Sequence, residues 1–265
     1  MIVRALALAA LLAAGQAAPD PHRPKPTLDH VAPALLEGIE DGVLIVSKTN
    51  GWRHIEHIPH SNAVLADIAE GLGHPAFVTE NGAVFNDAQL ARFSVVVLNS
   101  ATGTFLTPDQ RAAFARYVAG GGGVVALHAA GDSSHEAPWY VDTVIGTRFI
   151  GHPGGGDHLQ HARITIARPD HPVMKGVVLP WAPRDEWYSF AGNPTESGMT
   201  VLARIDEDSY RVPPELAMGD DHPVIWTNPQ TTGHVVYSAL GHMPGSYDDP
   251  NYRRLLTNAI RWAAE

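Results

Sequence analysis

Fifteen histidines and no cysteine in 265 residues put the weight of any chemistry on imidazoles and carboxylates. His128 is the first candidate: it closes the apolar run 124–127 and is followed by Ala129, Ala130 and Gly131, too small to cover it. An imidazole titrates near neutrality and so can take or give a proton in a reaction; the competing reading is a histidine that merely closes a turn. Glu186, within Asp185-Glu186-Trp187-Tyr188, is the second. A carboxyl beside aromatic rings is desolvated, which raises its pKa toward that of a working acid or base. A solvated acidic turn beside a core tryptophan would read the same way. Glu186 is preferred to Asp185 because its longer side chain reaches further. His242, just after the apolar run 235–240, completes the expected catalytic set.

Metal ligation is the other use of so many imidazoles. His54, His57 and His60 recur every third residue, and His158 and His161 do so once, but no His-Glu-x-x-His is present. His152, with His128 and His242, makes a better ligand set, because each comes from a separate loop. A divalent ion, with His152 as its candidate ligand, is therefore the one cofactor considered. The glycines at 120–123 precede a strand instead of following one, there is no P-loop lysine, and Gly131 to His135 lacks the closing glycine of a serine elbow. Nucleotide cofactors are unsupported.

Aromatic faces pack on sugar rings, so Trp52, Trp139, Trp187, Tyr188 and Trp226 are expected to hold a substrate by stacking, and Asn99, Asp132 and Asp185 to meet its hydroxyls. The expected partner is a small-molecule sugar.

These residues must be positioned by something. Continuous apolar runs at 43–47, 76–79, 95–98 and 124–128 read as buried parallel strands. Helices alternate with them at 60–72 and from Pro108, the latter with Thr107 as cap and Gln110 completing a capping box. Another is expected at 138–145, and a last one follows the cap Asp249 and Pro250. Runs at 163–167, 200–205, 224–227 and 235–240 read as strands that extend the sheet, partly antiparallel. The fold class is α/β, a doubly wound, mostly parallel, flavodoxin-like sheet with extra antiparallel strands and long loops in the C-terminal half. In such sheets ligands bind beyond the carboxyl ends of the strands. Residues 47–49, Asn99-Ser100, His128 and Gly241-His242 all fall there.

The chain opens with one arginine, an apolar run over 5–14 and small residues before Ala17-Ala18, which reads as a signal peptide over 1–18 cleaved after Ala17 or Ala18. A proline-rich linker at 19–41 and a single domain at 42–265 follow. A periplasmic or secreted protein is expected, with no membrane attachment once the signal is removed. Lys+Arg 18 against Asp+Glu 28 gives a net charge of −10 without any basic run, which disfavours nucleic acid. Homo-oligomerisation is left open.

Six ordered stretches carry a family resemblance: 50–54 (NGWRH), 106–110 (LTPDQ), 121–130 (GGGVVALHAA), 185–188 (DEWY), 221–226 (DHPVIW) and 240–242 (LGH). Together they resemble the ThuA-like family, named for trehalose utilisation, from about Gly42 to Ala264. The resemblance implies a fold similar to class I glutamine amidotransferases, whose cysteine nucleophile would stand where this chain has His128. Thiol-based amide hydrolysis is thereby excluded. It also implies disaccharide catabolism through 3-keto-glycosides. Many relatives are cytoplasmic, so the export signal is a departure, and an envelope glycoside is an alternative substrate. The expectation is an exported enzyme of carbohydrate catabolism (hydrolase, lyase or isomerase) in which His128 and Glu186 move protons while His242 or His152 orients a hydroxyl or holds a metal. The alternative is a non-catalytic carbohydrate-binding protein of the envelope.

Overall fold

The computed structural model describes residues 19–265; the signal peptide expected over 1–18 lies outside them. The strands are β1 (Gly42–Val46), β2 (Ala76–Thr79), β3 (Phe93–Asn99), β4 (Gly123–Leu127), β5 (Phe149–Gly151), β6 (Gln160–His161), β7 (Ile164–Ile166), β8 (Arg184–Asp185), β9 (Ser189–Phe190), β10 (Thr200–Ile205), β11 (His222–Asn228) and β12 (Val235–Ser238). The helices are α1 (Ile58–Gly71), α2 (Asp87–Leu90), α3 (Pro108–Ala119) and α4 (Pro250–Ala263). No described helix is long and apolar enough to cross a membrane.

Eight strands form one sheet in the order β2-β1-β3-β4-β12-β11-β10-β7. The first five are mutually parallel, and β11, β10 and β7 continue antiparallel. Every residue of β1, β4 and β12 is buried, as strands covered on both faces require, and each large apolar side chain buried there contributes about 1.5–3 kcal/mol. The core continues into α4, which buries Tyr252, Leu255, Leu256, Ala259, Ile260 and Ala263, spaced three and four apart. Helices α1 and α4 pack on each other and on the central strands. The expected capping box opens α3: Thr107 Oγ1 accepts from the Gln110 N–H at 3.3 Å and Gln110 Oε1 from the Thr107 N–H at 2.9 Å.

Three features depart from expectation. The helix at 138–145 is a π-helical turn, Trp139–Ile145, ended by Gly146 at φ +88°. Two small ribbons, β5 with β9 and β6 with β8, have strands of two or three residues, too short for a periodic signal. Residues 19–41, expected as an exposed linker, are mostly exposed but also docked as a strap. Asp29 pairs with Lys48 at 2.9 Å and accepts from the Gly82 N–H at 2.8 Å, and the carbonyls of Asp29 and Pro33 accept from the side chains of Gln110 and Gln89. The prolines keep this strap extended, and partners distant in sequence satisfy its polar groups.

Candidate functional site

The carboxyl ends of β1, β3, β4 and β12 deliver the site. His128 follows β4 at φ +49°, a left-handed conformation that few non-glycine residues adopt and that is concentrated at functional sites. Its carbonyl accepts from the Tyr237 hydroxyl at 3.0 Å. Gly131 lets that tyrosine in, since a Cβ there would sit 2.4 Å from its ring. His54 lies in the loop after β1, and His57 is the N-cap residue of α1. His242 follows Gly241, whose φ of +119° and whose Cβ position, 2.7 Å from the Tyr247 hydroxyl, exclude a side chain. Glu186 comes from the far half of the chain, between β8 and β9.

These groups meet closely. His128 Nε2, Glu186 Oε2 and His242 Nδ1 form a triangle with sides of 3.4, 3.3 and 3.2 Å. A ring nitrogen of His54 joins them, with all four ligand atoms within 4.8 Å of one another. A tetrahedral ion with bonds of about 2.0–2.1 Å spaces its ligands about 3.3–3.4 Å apart, which is the size of this triangle. The tautomers suit the same use. His128 Nδ1 faces the Ala239 carbonyl at 2.8 Å; a carbonyl only accepts, so Nδ1 carries a hydrogen and the neutral ring turns its Nε2 lone pair toward the cluster. His54 Nδ1 is buried with no hydrogen-bond partner, a costly state for a polar atom. His57 is spoken for: it donates to the His242 carbonyl at 3.0 Å and meets Ser100 Oγ at 3.0 Å, so it supports the His242 loop.

Burial pushes the His54 imidazole far below its ordinary value, helped by His128, His57 and His242, and burial lowers His57 in the same way. For His128 burial also opposes charge, yet the hydrogen bond and charge of Glu186, with Asp185 behind, outweigh it and raise the pKa. Glu186 corrects the sequence reading. Burial alone would raise its carboxyl, but the imidazoles of His128 and His242 hold it well below the usual range, so it is an anion and not a proton-holding acid. Its Oε1 faces a second pair, His152 Nε2 at 3.2 Å and His158 Nε2 in close contact.

Above the cluster opens a cleft of about 520 Å³, walled by Trp52, Asp132, Phe149, Tyr188, His152 and His158, with His54, Glu186 and His242 at its floor. That volume suits a small-molecule ligand. The structure thus brings together His128, Glu186, His242, His152, Trp52, Asp132 and Tyr188. His128 itself is fully buried and does not line the cleft, because Tyr188 lies over it with ring centres 4.6 Å apart. His22, from the docked strap, stacks on Trp52 at 4.7 Å.

Five expected sugar contacts lie elsewhere. Trp226 is buried in β11 against Phe190 and Tyr237, its indole N–H donating to the Ile145 carbonyl at 2.8 Å. Trp187 is buried and donates to the Gln160 carbonyl at 2.8 Å. Trp139 packs edge-on against Phe114, beside a separate small apolar cavity. Asn99 is buried among Ser61, Asn62 and Tyr247. Asp185 is fully buried, its carboxylate accepting from the N–H groups of Glu186, Gly241 and His242 at 2.9 Å each and from Ser246 Oγ at 3.0 Å. Sequence reasoning undervalued His54 and His158; motif 50–54, which ends on His54, was the available signal.

An open α/β sheet with a histidine–carboxylate cluster beyond its parallel strands, and an imidazole at the elbow after β4, defines a thiol-free protein of glutamine amidotransferase-like architecture. The family profile described as ThuA, trehalose utilisation, matches residues 42–263, and the chain belongs to that family. A ThuA-like protein from Bacteroides uniformis is similar at 22% identity and TM-score 0.72, covering 88% of this chain and 95% of its own. One from Parabacteroides merdae is similar at 19% and 0.66, covering 85% and 90%. PurLQS from Thermotoga maritima shares the fold at 11% and 0.53, covering 84% and 98%. No curated protein gives a significant match.

Proposed function

We propose that this chain is an exported, metal-dependent enzyme of carbohydrate catabolism that acts on a disaccharide or a 3-keto-glycoside. The observation that carries the reading is the 3.2–3.4 Å triangle of His128, Glu186 and His242, joined by a ring nitrogen of His54. His54, His128, Glu186 and His242 would hold a divalent ion at the cleft floor. When bound, such an ion polarises a carbonyl or hydroxyl oxygen as a Lewis acid.

The chain's own groups do the rest. As ligands, His128 and Glu186 are not free to exchange protons with substrate, which revises the role expected of them. Asp132 lines the cleft, and burial raises its carboxyl above the ordinary value, in the direction a base for neutral pH requires. A keto group at C3 acidifies the C2–H bond of a sugar; Asp132 would take that proton as the C1–O bond breaks, leaving a C1=C2 enone, and would return it to the departing oxygen, which leaves as an alcohol. Trp52, Phe149 and Tyr188 would wall the ring. The family description, trehalose utilisation, supports a disaccharide, and the apolar leader at 5–14 supports export to the periplasm or medium.

Mass spectrometry of products from trehalose, sucrose and their 3-keto forms, with and without chelator, tests the activity. Turnover that chelation removes and zinc or manganese restores is expected. Sugar binding with no turnover in any arm would favour the envelope carbohydrate-binding reading. N-terminal sequencing of the protein from the periplasm tests export, with a start at Ala18 or Pro19 expected.

A further inference from the structure

We infer that Glu186 bridges two divalent ions, the second held by His152 and His158 at the mouth of the cleft; this rests on the metal-dependent reading above. The two carboxylate oxygens of Glu186 serve separate sets of imidazoles. Oε2 faces His128 and His242 at 3.4 and 3.3 Å, whereas Oε1 faces His152 at 3.2 Å and touches His158. The ligand atoms of His152, His158 and Glu186 also lie within 4.8 Å of one another.

Hydrogen-bond chemistry says what stands between them. His152 Nδ1 faces the Pro153 carbonyl at 3.0 Å and must donate to it. The Nε2 of the neutral ring is then a lone pair aimed at a carboxylate oxygen. Two acceptors 3.2 Å apart repel unless a cation sits between them. A proton on His152 Nε2 would make that ring an imidazolium, whereas His158 can meet Glu186 as a neutral ring donating from Nε2; both rings, with centres 5.2 Å apart, crowd onto the one carboxylate oxygen. One divalent ion satisfies all three ligand atoms without that crowding, and carboxylate-bridged pairs of ions are a recurring catalytic arrangement.

The two positions differ in access. The inner set supplies four protein ligands, with His128 and His54 only 0% and 4% exposed. The outer set supplies three, and its histidine side chains are 34% and 38% exposed on the cleft wall. Three ligands leave an open position, the mark of a catalytic rather than a structural ion. The outer ion would take a substrate oxygen without giving up a protein ligand, whereas the inner ion would have to expand to a fifth position to polarise one; the ligand class shared between them is a sugar presenting adjacent oxygen donors, as a ketone beside a hydroxyl does.

The test is metal content by inductively coupled plasma mass spectrometry after zinc loading and gel filtration of the full chain. Two zinc ions per wild-type chain and one per His152→Ala/His158→Ala chain are expected. Manganese loading should give an exchange-coupled paramagnetic resonance spectrum in the wild type and an isolated-ion spectrum in the double variant. One zinc per wild-type chain, or two retained in the double variant, overturns the bridge while leaving the inner site standing. No zinc in the wild type sinks both readings. An unchanged thermal midpoint of the metal-free double variant, whose altered side chains are partly exposed, excludes misfolding as the cause of a lost ion.

Discussion

His128 and Glu186, 58 residues apart in sequence, bring Nε2 and Oε2 to 3.4 Å with both side chains out of solvent. Without metal the raised imidazole and lowered carboxyl make this contact an imidazolium–carboxylate pair, and under the metal-dependent reading an ion would take the place of the proton. Glu186→Gln removes the charge at almost constant volume. Metal affinity should fall by more than the 10–100-fold typical of losing an outer-shell partner. His128 can shed its proton in response, so metal-free stability should fall toward the low end of the about 3–5 kcal/mol seen when buried pairs are broken. Zinc competition titration and thermal melts read the two effects; unchanged affinity would remove Glu186 from the ligand set.

The buried imidazoles give the metal-free protein a definite pH dependence. His54 and His57 stay neutral in the fold, so below the ordinary imidazole value of about 6.5 the unfolded chain binds more protons and stability falls. His128 is raised, so its contribution is complete below about 6.5 and is lost as pH climbs through its folded value. Glu186, held low, adds stability above the unfolded carboxyl value of about 4.3 and loses it as pH falls. The thermal midpoint should therefore peak near pH 6.5. His128→Asn should flatten the alkaline side, and a midpoint still rising through pH 8 in the metal-free wild type would contradict the assignment.

Asp185 positions His242 without reaching the cleft. Its four acceptor sites are filled by four donors, so in Asp185→Asn the new amide must point N–H at N–H or O–H. Each mismatch costs about 1–3 kcal/mol, and the His242 loop should shift. Zinc affinity of the folded fraction should drop by about 10–100-fold, which isothermal titration can measure. A purely structural role would lower the melting temperature and leave that affinity alone.

Where local chemistry decides, the fold was readable: Thr107, Pro108 and Gln110 specify the start of α3, and the apolar run 124–127 specifies β4 with His128 beyond it. His54 was harder. It shares a three-residue spacing with His57 and His60, yet the three part company: one faces the cluster, one braces His242, and one meets Asp248 at the surface. Only the neighbouring strand ends make that distinction. Glu186 meets the histidine cluster, and its carboxyl is lowered where a raised value was expected, because Trp187 and Tyr188 are adjacent in sequence whereas the imidazoles that lower it come from other loops. The docking of 19–41 was not readable because its partners lie 19 to 81 residues away.

Tryptophan made the least readable contribution, and two substitutions separate its uses. β11 is buried along its whole length, so it shows no alternation to tell inward from outward, and Trp226 turns into the core while Trp52, 42% exposed, walls the cleft. Trp226→Phe keeps most of the apolar volume but strands the Ile145 carbonyl, and should cost about 1–3 kcal/mol of stability with KM unchanged. Trp52→Ala removes a ring already stacked by His22 at the cleft wall. It should raise KM for a sugar substrate about 5–150-fold, in keeping with the about 1–3 kcal/mol of a stacked ring, and should leave the melting temperature unchanged. If Trp226→Phe changes KM while Trp52→Ala does not, the sugar binds somewhere other than this cleft.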